Sequence, residues 1–201
     1  MTKIKSKIIE NKEEKKRKIL ESSFLLFTEK GFKNTSIQEI VDKANVAKGT
    51  FYLYFKDKYD VQEYLITDKS EQLFHDAILD VNKKNITDFS ERFIAIIDYI
   101  INEFINDKSL LKFISKNLSL GVFGDKLTNF MDKEKGFTIL EEFEKQIKLN
   151  NVPIKNPKIT LFMVIELTSS VVFTSISLNK PLPIEKIKPY LYQNIKKILL
   201  D

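Results

Sequence analysis

Apolar residues recur at three- and four-residue intervals along most of this chain, the period of helices burying one face. Ile19, Leu20, Phe24 and Phe27 form the first such stripe, and Gly31 follows a lysine where a helix would be closed. Thr35-Ser36 then offers an N-cap to the segment Ile37–Ala44, with Gln38 or Glu39 placed to complete a capping box. Asn45-Val46 reads as a tight turn, since Asn tolerates the left-handed conformation. Beyond it Phe51 and Phe55 share a face at i and i+4, with Val46 close behind. Helix, short helix, turn and helix in this order predict a helix-turn-helix.

The pattern continues as helices. Val61, Tyr64, Leu65, Phe74, Ile78 and Val81 mark a long one that runs to about Asn82 and links the motif to the rest of the chain. Asn85 to Asp88 interrupts it, with Thr87 or Asp88 as the next cap. Phe89 to Ile105 and Leu110 to Leu120 follow, then a bend from Gly121 to Gly124. Asp125 to Leu149 predicts a further helix with a breaking point near Gly136, and the two prolines between Asn150 and Pro157 mark a loop. Ile159 to Leu178 and a last helix to about Leu200 complete the chain. The fold class expected is all-α. A three-helix unit would occupy residues 1–60 and a larger helical domain residues 61–201.

The chemistry concentrates in Val46 to Lys58. Opposite Phe51 and Phe55 lie Gly49, Thr50, Tyr52 and Leu53, with Lys48 at the leading edge and Tyr54 and Lys58 flanking. A small residue for close approach, a methyl with a hydroxyl, an aromatic with a donor and a cation suit the floor of a DNA major groove. Lys48 can donate to guanine, and Thr50 and Tyr52 can touch thymine methyls. A surface helix that merely buries its aromatics is the plainer reading of the same spacing.

Residues from about Lys15 to Val61 resemble the DNA-binding domain of the TetR family of transcriptional regulators. The resemblance is carried by Ile19-Leu20, Phe27, Gly31-Phe32, Thr35-Ser36, Ile37, Ile40-Val41, Ala44, Val46, Gly49-Thr50-Phe51-Tyr52, Tyr54-Phe55 and Lys58. The chain departs from the family's usual pattern at Asn45, often Gly, and at Ala47, often Ser, where a capping hydroxyl is missing. The resemblance implies a homodimer on a palindromic double-stranded operator and release by an effector bound in the helical domain. It also implies phosphate contacts from Thr35, Tyr54 and Lys58, and dimerisation through the last two helices.

Charge agrees with that placement. The net charge is +5, and residues 1–60 hold 14 basic and 9 acidic residues while the remainder balances. Residues 2–14, with Lys3, Lys5, Lys7 and Lys12, read as a solvated lead-in, or else as an arm on DNA. The chain has no Cys, which removes disulfides and thiolate metal sites, and the basic N-terminus lacks a signal peptide's apolar run. A cytoplasmic location is expected. His75 is the single histidine and has no catalytic partner at a recognisable spacing, so it reads as a packing or surface residue. No phosphate loop or metal cluster is present in the sequence, and neither enzyme activity nor a cofactor is expected.

Ile159 to Leu178 is apolar on nearly every side and twenty residues long, enough to span a bilayer. Glu166 near its middle and seven Ser or Thr argue against the membrane. A buried helix shared with a partner subunit accounts for it better. The larger domain is rich in phenylalanine: Phe74, Phe89, Phe93, Phe104, Phe113, Phe130, Phe137, Phe143, Phe162 and Phe173. Such rings fill cores, or line apolar cavities. Phe93, Phe113, Phe162 and Glu166 are the candidates for a small hydrophobic effector, with Glu166 as polar anchor. The competing reading is a DNA-tethered module whose helical domain binds a protein partner.

Overall fold

Helix starts and stops are written into this chain by Asn, Asp, Ser and Thr, because it has only five glycines. The computed structural model describes residues 2–123 and 138–200, with side chains from residue 11, and contains ten α-helices among them. They are α1 Thr2–Glu29, α2 Ile37–Ala44, α3 Lys48–Tyr54, α4 Lys58–Lys83 and α5 Phe89–Asn106. Then come α6 Lys108–Ile114, α7 Leu118–Phe123, α8 Ile139–Asn150, α9 Pro157–Leu178 and α10 Ile184–Leu200. No strand occurs among the described residues, and the fold is all-α. Asn45, Asn85, Asn151 and Asn179 all take positive φ, between 51° and 53°, just past the ends of α2, α4, α8 and α9. Asn supplies the left-handed residue that Gly supplies elsewhere. Asp88 caps α5, Asp107 caps α6, Thr138 closes a capping box on α8 with Glu141, and Asn156 caps α9 ahead of Pro157.

The chain divides into two compact units, residues 1–65 and 66–201, and the division falls inside α4. In the first unit, Ile19 and Phe27 of α1 and Ile40 and Val41 of α2 are buried together with Phe51 of α3. The charged segment expected as a solvated lead-in is helical, the start of α1, and its residues 11–14 are exposed.

In the second unit Phe89 and Phe93 of α5 pack with Phe143 of α8, the last two rings edge to face at 4.9 Å. Beside them lies a buried ion pair. Arg92 Nη2 donates to Glu142 Oε1 at 2.8 Å, with side chains 8% and 2% exposed, and also to Asn82. Gln146 donates to the same carboxylate oxygen. A second polar seam joins α5 to α10. There the Tyr192 hydroxyl donates to Asp98 at 2.5 Å, and Lys188 reaches Asp98 and Asn102. Burial, then the bond to Asp98, pushes the Tyr192 hydroxyl far up from its ordinary value. For Asp98 burial works the other way, but the bonds from Tyr192 and Lys188 outweigh it and hold the carboxyl below its usual range.

Two sequence expectations change here. The bend expected from Gly121 is helical, because α7 carries Gly121 inside it and runs to Phe123. Of the helix expected over Asp125 to Leu149, α8 is the described part; Gly136, Phe130 and Phe137 lie outside the described residues.

The ion pair generates a contrast. Glu142→Ala strands Arg92 in the interior and should cost about 3–5 kcal/mol, whereas Arg92→Met with Glu142→Met should come close to the parent. Urea unfolding of the three proteins measures both. Equal losses in the single and double variants would show that the pair contributes net stability.

Candidate nucleic-acid interface

The interface is built on α3, seven residues long and too short to hold itself in water. Its inner face fixes it. Phe51 is fully buried and Phe55, just past its end, is 4% exposed; their rings lie 5.9 Å apart, and Tyr64 of α4 meets Phe55 at 6.0 Å. Asn45, at φ 53° and ψ 50°, makes the turn that sets α3 across α2. With that face anchored, Lys48 and Gly49 are exposed, Thr50 is half-buried, and Tyr52 and Leu53 are 53% and 79% exposed. A Cβ placed on Gly49 would meet nothing within 4 Å, so the surface there is open to close approach. Ala47 gives no side-chain cap, as its sequence implies.

The turn before α2 is held by its own network. Ser36 is the cap of α2: its Oγ accepts from Glu39 N, and Glu39 returns to the Ser36 N–H. Lys30 pairs with the same Glu39. The Lys30 ammonium first, then the Ser36 bonds, lower the Glu39 carboxyl to about 2.

Three of the sequence candidates carry hydrogen bonds inside the chain. Thr35 does not cap α2; it is 2% exposed, and its hydroxyl is placed against the carbonyls of Gly31, at 3.0 Å, and Leu26. Tyr54 donates its hydroxyl proton to the Lys12 carbonyl at 3.0 Å, tying α3 to α1. Lys58 makes three. Its ammonium donates to the carbonyls of Phe32 and Thr35, both at 2.9 Å, and of Lys33 at 3.3 Å, and it stands 4.7 Å over the Phe32 ring. Three donors meet three carbonyls within the chain. Lys58 therefore clamps the turn between α1 and α2 to the start of α4. Lys48, Gly49, Thr50 and Tyr52 remain together on the outward face. Leu53 joins them, 79% exposed, and its place opposite Phe51 and Phe55 was the signal for it. Lys33, Lys43, Lys48 and Lys56 are exposed and in ion pairs with no carboxylate among the described residues.

The effector candidates are not brought together. Phe93 is a core residue in the Phe89–Phe143 cluster and Phe113 is 8% exposed. Phe162, 45% exposed, and Glu166, also exposed, lie on the outer face of α9.

Residues 19–65 match the family described as bacterial regulatory proteins, tetR family. The probable HTH-type transcriptional regulator YttP of Bacillus subtilis is 29% identical over 145 residues, 69% of each chain. Among solved structures, a putative TetR-family transcriptional regulator from Syntrophomonas wolfei superposes with a TM-score of 0.64 at 24% identity, covering 95% of this chain and 97% of its own. The transcriptional regulator FadR from Bacillus subtilis, in complex with stearoyl-CoA, superposes with a TM-score of 0.62 at 16% identity, covering 89% and 96%.

Two measurements check this geometry. Lys58→Ala removes the donor from three carbonyls and should lower the stability of the first unit by about 1–3 kcal/mol. Below its unfolding temperature it should leave the salt dependence of DNA binding unchanged. A shallower salt slope in folded Lys58→Ala would return Lys58 to the phosphates. Glu39 has a folded value below its ordinary 4.5, so its stabilisation is complete above about pH 4.5 and lost as pH falls toward about 2. Glu39→Gln should flatten that part of the acid-unfolding curve, read by circular dichroism.

Proposed function

We propose that this chain, a DNA-binding transcriptional regulator of the tetR family and not an enzyme, works in the cytoplasm as a homodimeric repressor. Its palindromic operator is released when a small hydrophobic effector enters the helical unit. The observation that carries the DNA part is the outward face of α3: Lys48, Gly49, Thr50, Tyr52 and Leu53 held in the open by the buried Phe51 and Phe55. Lys48 donates to base edges, Tyr52 and Leu53 offer apolar contact to thymine methyls, and the exposed Lys33 and Lys56 serve the backbone. Thr35, Tyr54 and Lys58 act one step back, by holding α3 and its turn where the exposed groups can reach.

Dimerisation is supported by α9. It is 22 residues long with a mean hydropathy of 1.8 in its most apolar window, yet only 39% of that window is buried. Ile159, Phe162 and Met163 are 55%, 45% and 51% exposed. Glu166 shares that face near mid-helix, a costly residue for a bilayer centre. A second copy of α9 covers these side chains and leaves the carboxylate at a protein interface. Two copies bring two α3 helices to half-sites about 34–36 Å apart in successive major grooves. The effector reading is supported by FadR, solved with stearoyl-CoA and sharing this fold. Of the aromatic candidates, Phe93 and Phe113 face inward and can respond to it. The long α4 begins in the first unit and ends in the second, so it carries the signal. A coupling of about 1–3 kcal/mol changes occupancy substantially.

Lys48→Ala, Tyr52→Ala and Leu53→Ala should each cost about 1–3 kcal/mol per half-site on the operator, with little change on scrambled duplex. Fluorescence anisotropy at two salt concentrations tests this, and equal weakening on both duplexes would end the base-reading assignment. Met163→Arg should yield a folded monomer with weak operator binding, read by sedimentation. A dimer unaffected by Met163→Arg would move the interface off this face.

A further inference from the structure

Gly121 lies inside α7, buried where α7 meets α4. A Cβ built on it would stand 2.4 Å from Ser70 Oγ, 2.5 Å from Ser70 Cβ and 3.3 Å from the Ile66 carbonyl oxygen. Carbon atoms in ordinary contact are about 3.5–4.0 Å apart. The Ser70 hydroxyl can rotate away, but its Cβ and the Ile66 carbonyl are fixed to α4. A single methyl at 121 therefore demands a helix displacement of about 1 Å. Ser70 is fully buried and its hydroxyl has no hydrogen-bond partner, unlike Ser23, whose hydroxyl returns to the Ile19 carbonyl at 2.7 Å. What Ser70 contributes at this crossing is small size.

The other neighbours of α7 decide which helix gives. α7 also packs on α9, where the Phe123 and Phe162 rings meet at 5.9 Å. The turn leading into α7 is tied to α9 as well, with Lys116 Nζ 4.5 Å over the Phe173 ring. Held by the longest helix of the second unit, α7 has little room to retreat, and displacement passes to α4. The crossing lies at Ile66 and Ser70, just past the point in α4 where the first unit ends.

We propose that Gly121 is a positioning residue for DNA binding: its missing side chain lets α4 lie where the first unit can grip both half-sites. The gap between α7 and α4 is the variable through which the helical unit acts on α3. A side chain at 121 is then a permanent inducer. The inference rests on the reading of α4 as the signal carrier.

The test uses the full-length protein and a duplex enriched from a random pool by the wild-type chain. Gly121→Ala should remain a dimer with a cooperative melting transition and bind that duplex at least tenfold more weakly. Adding Ser70→Gly should bring affinity back to within threefold of wild type. The rescue separates position from stability, because glycine in the middle of a helix is itself destabilising and would deepen a mere folding defect. If Gly121→Ala does not fold alone, Ser70→Thr adds a methyl to the same crossing from the α4 side and should show the same loss. Wild-type affinity in a folded Gly121→Ala or Ser70→Thr variant, or no recovery in the double variant, overturns the proposal. A wild-type chain that enriches no duplex would bring down the DNA-binding reading itself, a separate result.

Discussion

A seven-residue helix cannot persist in water on its own hydrogen bonds, since nucleation costs more than two turns return. α3 exists because Phe51 and Phe55 are buried beneath it, each worth about 1.5–3 kcal/mol of apolar transfer. Every other feature of the first unit serves that anchorage. Asn45 turns the chain so that the two rings point inward, and Ile19, Phe27, Ile40 and Val41 supply the surface they meet. Tyr54 pins the far end of α3 to α1 through the Lys12 carbonyl. With one face so occupied, Lys48, Gly49, Tyr52 and Leu53 face outward, Tyr52 resting the edge of its ring against Phe51.

The polar groups that hold this arrangement spend their hydrogen bonds inside the protein. Lys58 illustrates the choice between two uses of one ammonium. The 3₁₀ turn Phe32–Asn34 and Thr35 after it present backbone carbonyls with acceptor capacity to spare, and Lys58 on the first turn of α4 reaches three of them. Engaged there, it ties that turn to the start of α4 and keeps its positive charge beside the turn. The first unit thus separates a frame of clamped groups from a small set of exposed side chains. That separation suits a surface that must meet DNA in one register.

Different physics governs the second unit. Its interior holds a paired Arg92 and Glu142, and several hydroxyls that are buried without partners, Ser70 among them. An interior of this kind is less locked by directional bonds than the capped turns of the first unit, and it crosses α4 at a glycine.

What the sequence settled about this protein is local. The helix-turn-helix, the Asn45 turn, the burial of Phe51 and Phe55 and the exposure opposite them all follow from contacts within a few residues, which periodicity and capping chemistry report directly. The all-α class follows from the same signals repeated along the chain. Tertiary structure alone decided where long or polar side chains spend their bonds. Thr35 could have capped α2, but its hydroxyl lies against the Leu26 and Gly31 carbonyls, and the Lys58 ammonium is set on the Phe32 to Thr35 turn. Phe93 and Phe162 look alike as phenylalanines on apolar helices, yet one is sealed against Phe143 and the other is left on an outer face. Only packing between distant segments distinguishes them, because burial depends on which helix arrives opposite, and a one-dimensional pattern does not carry that.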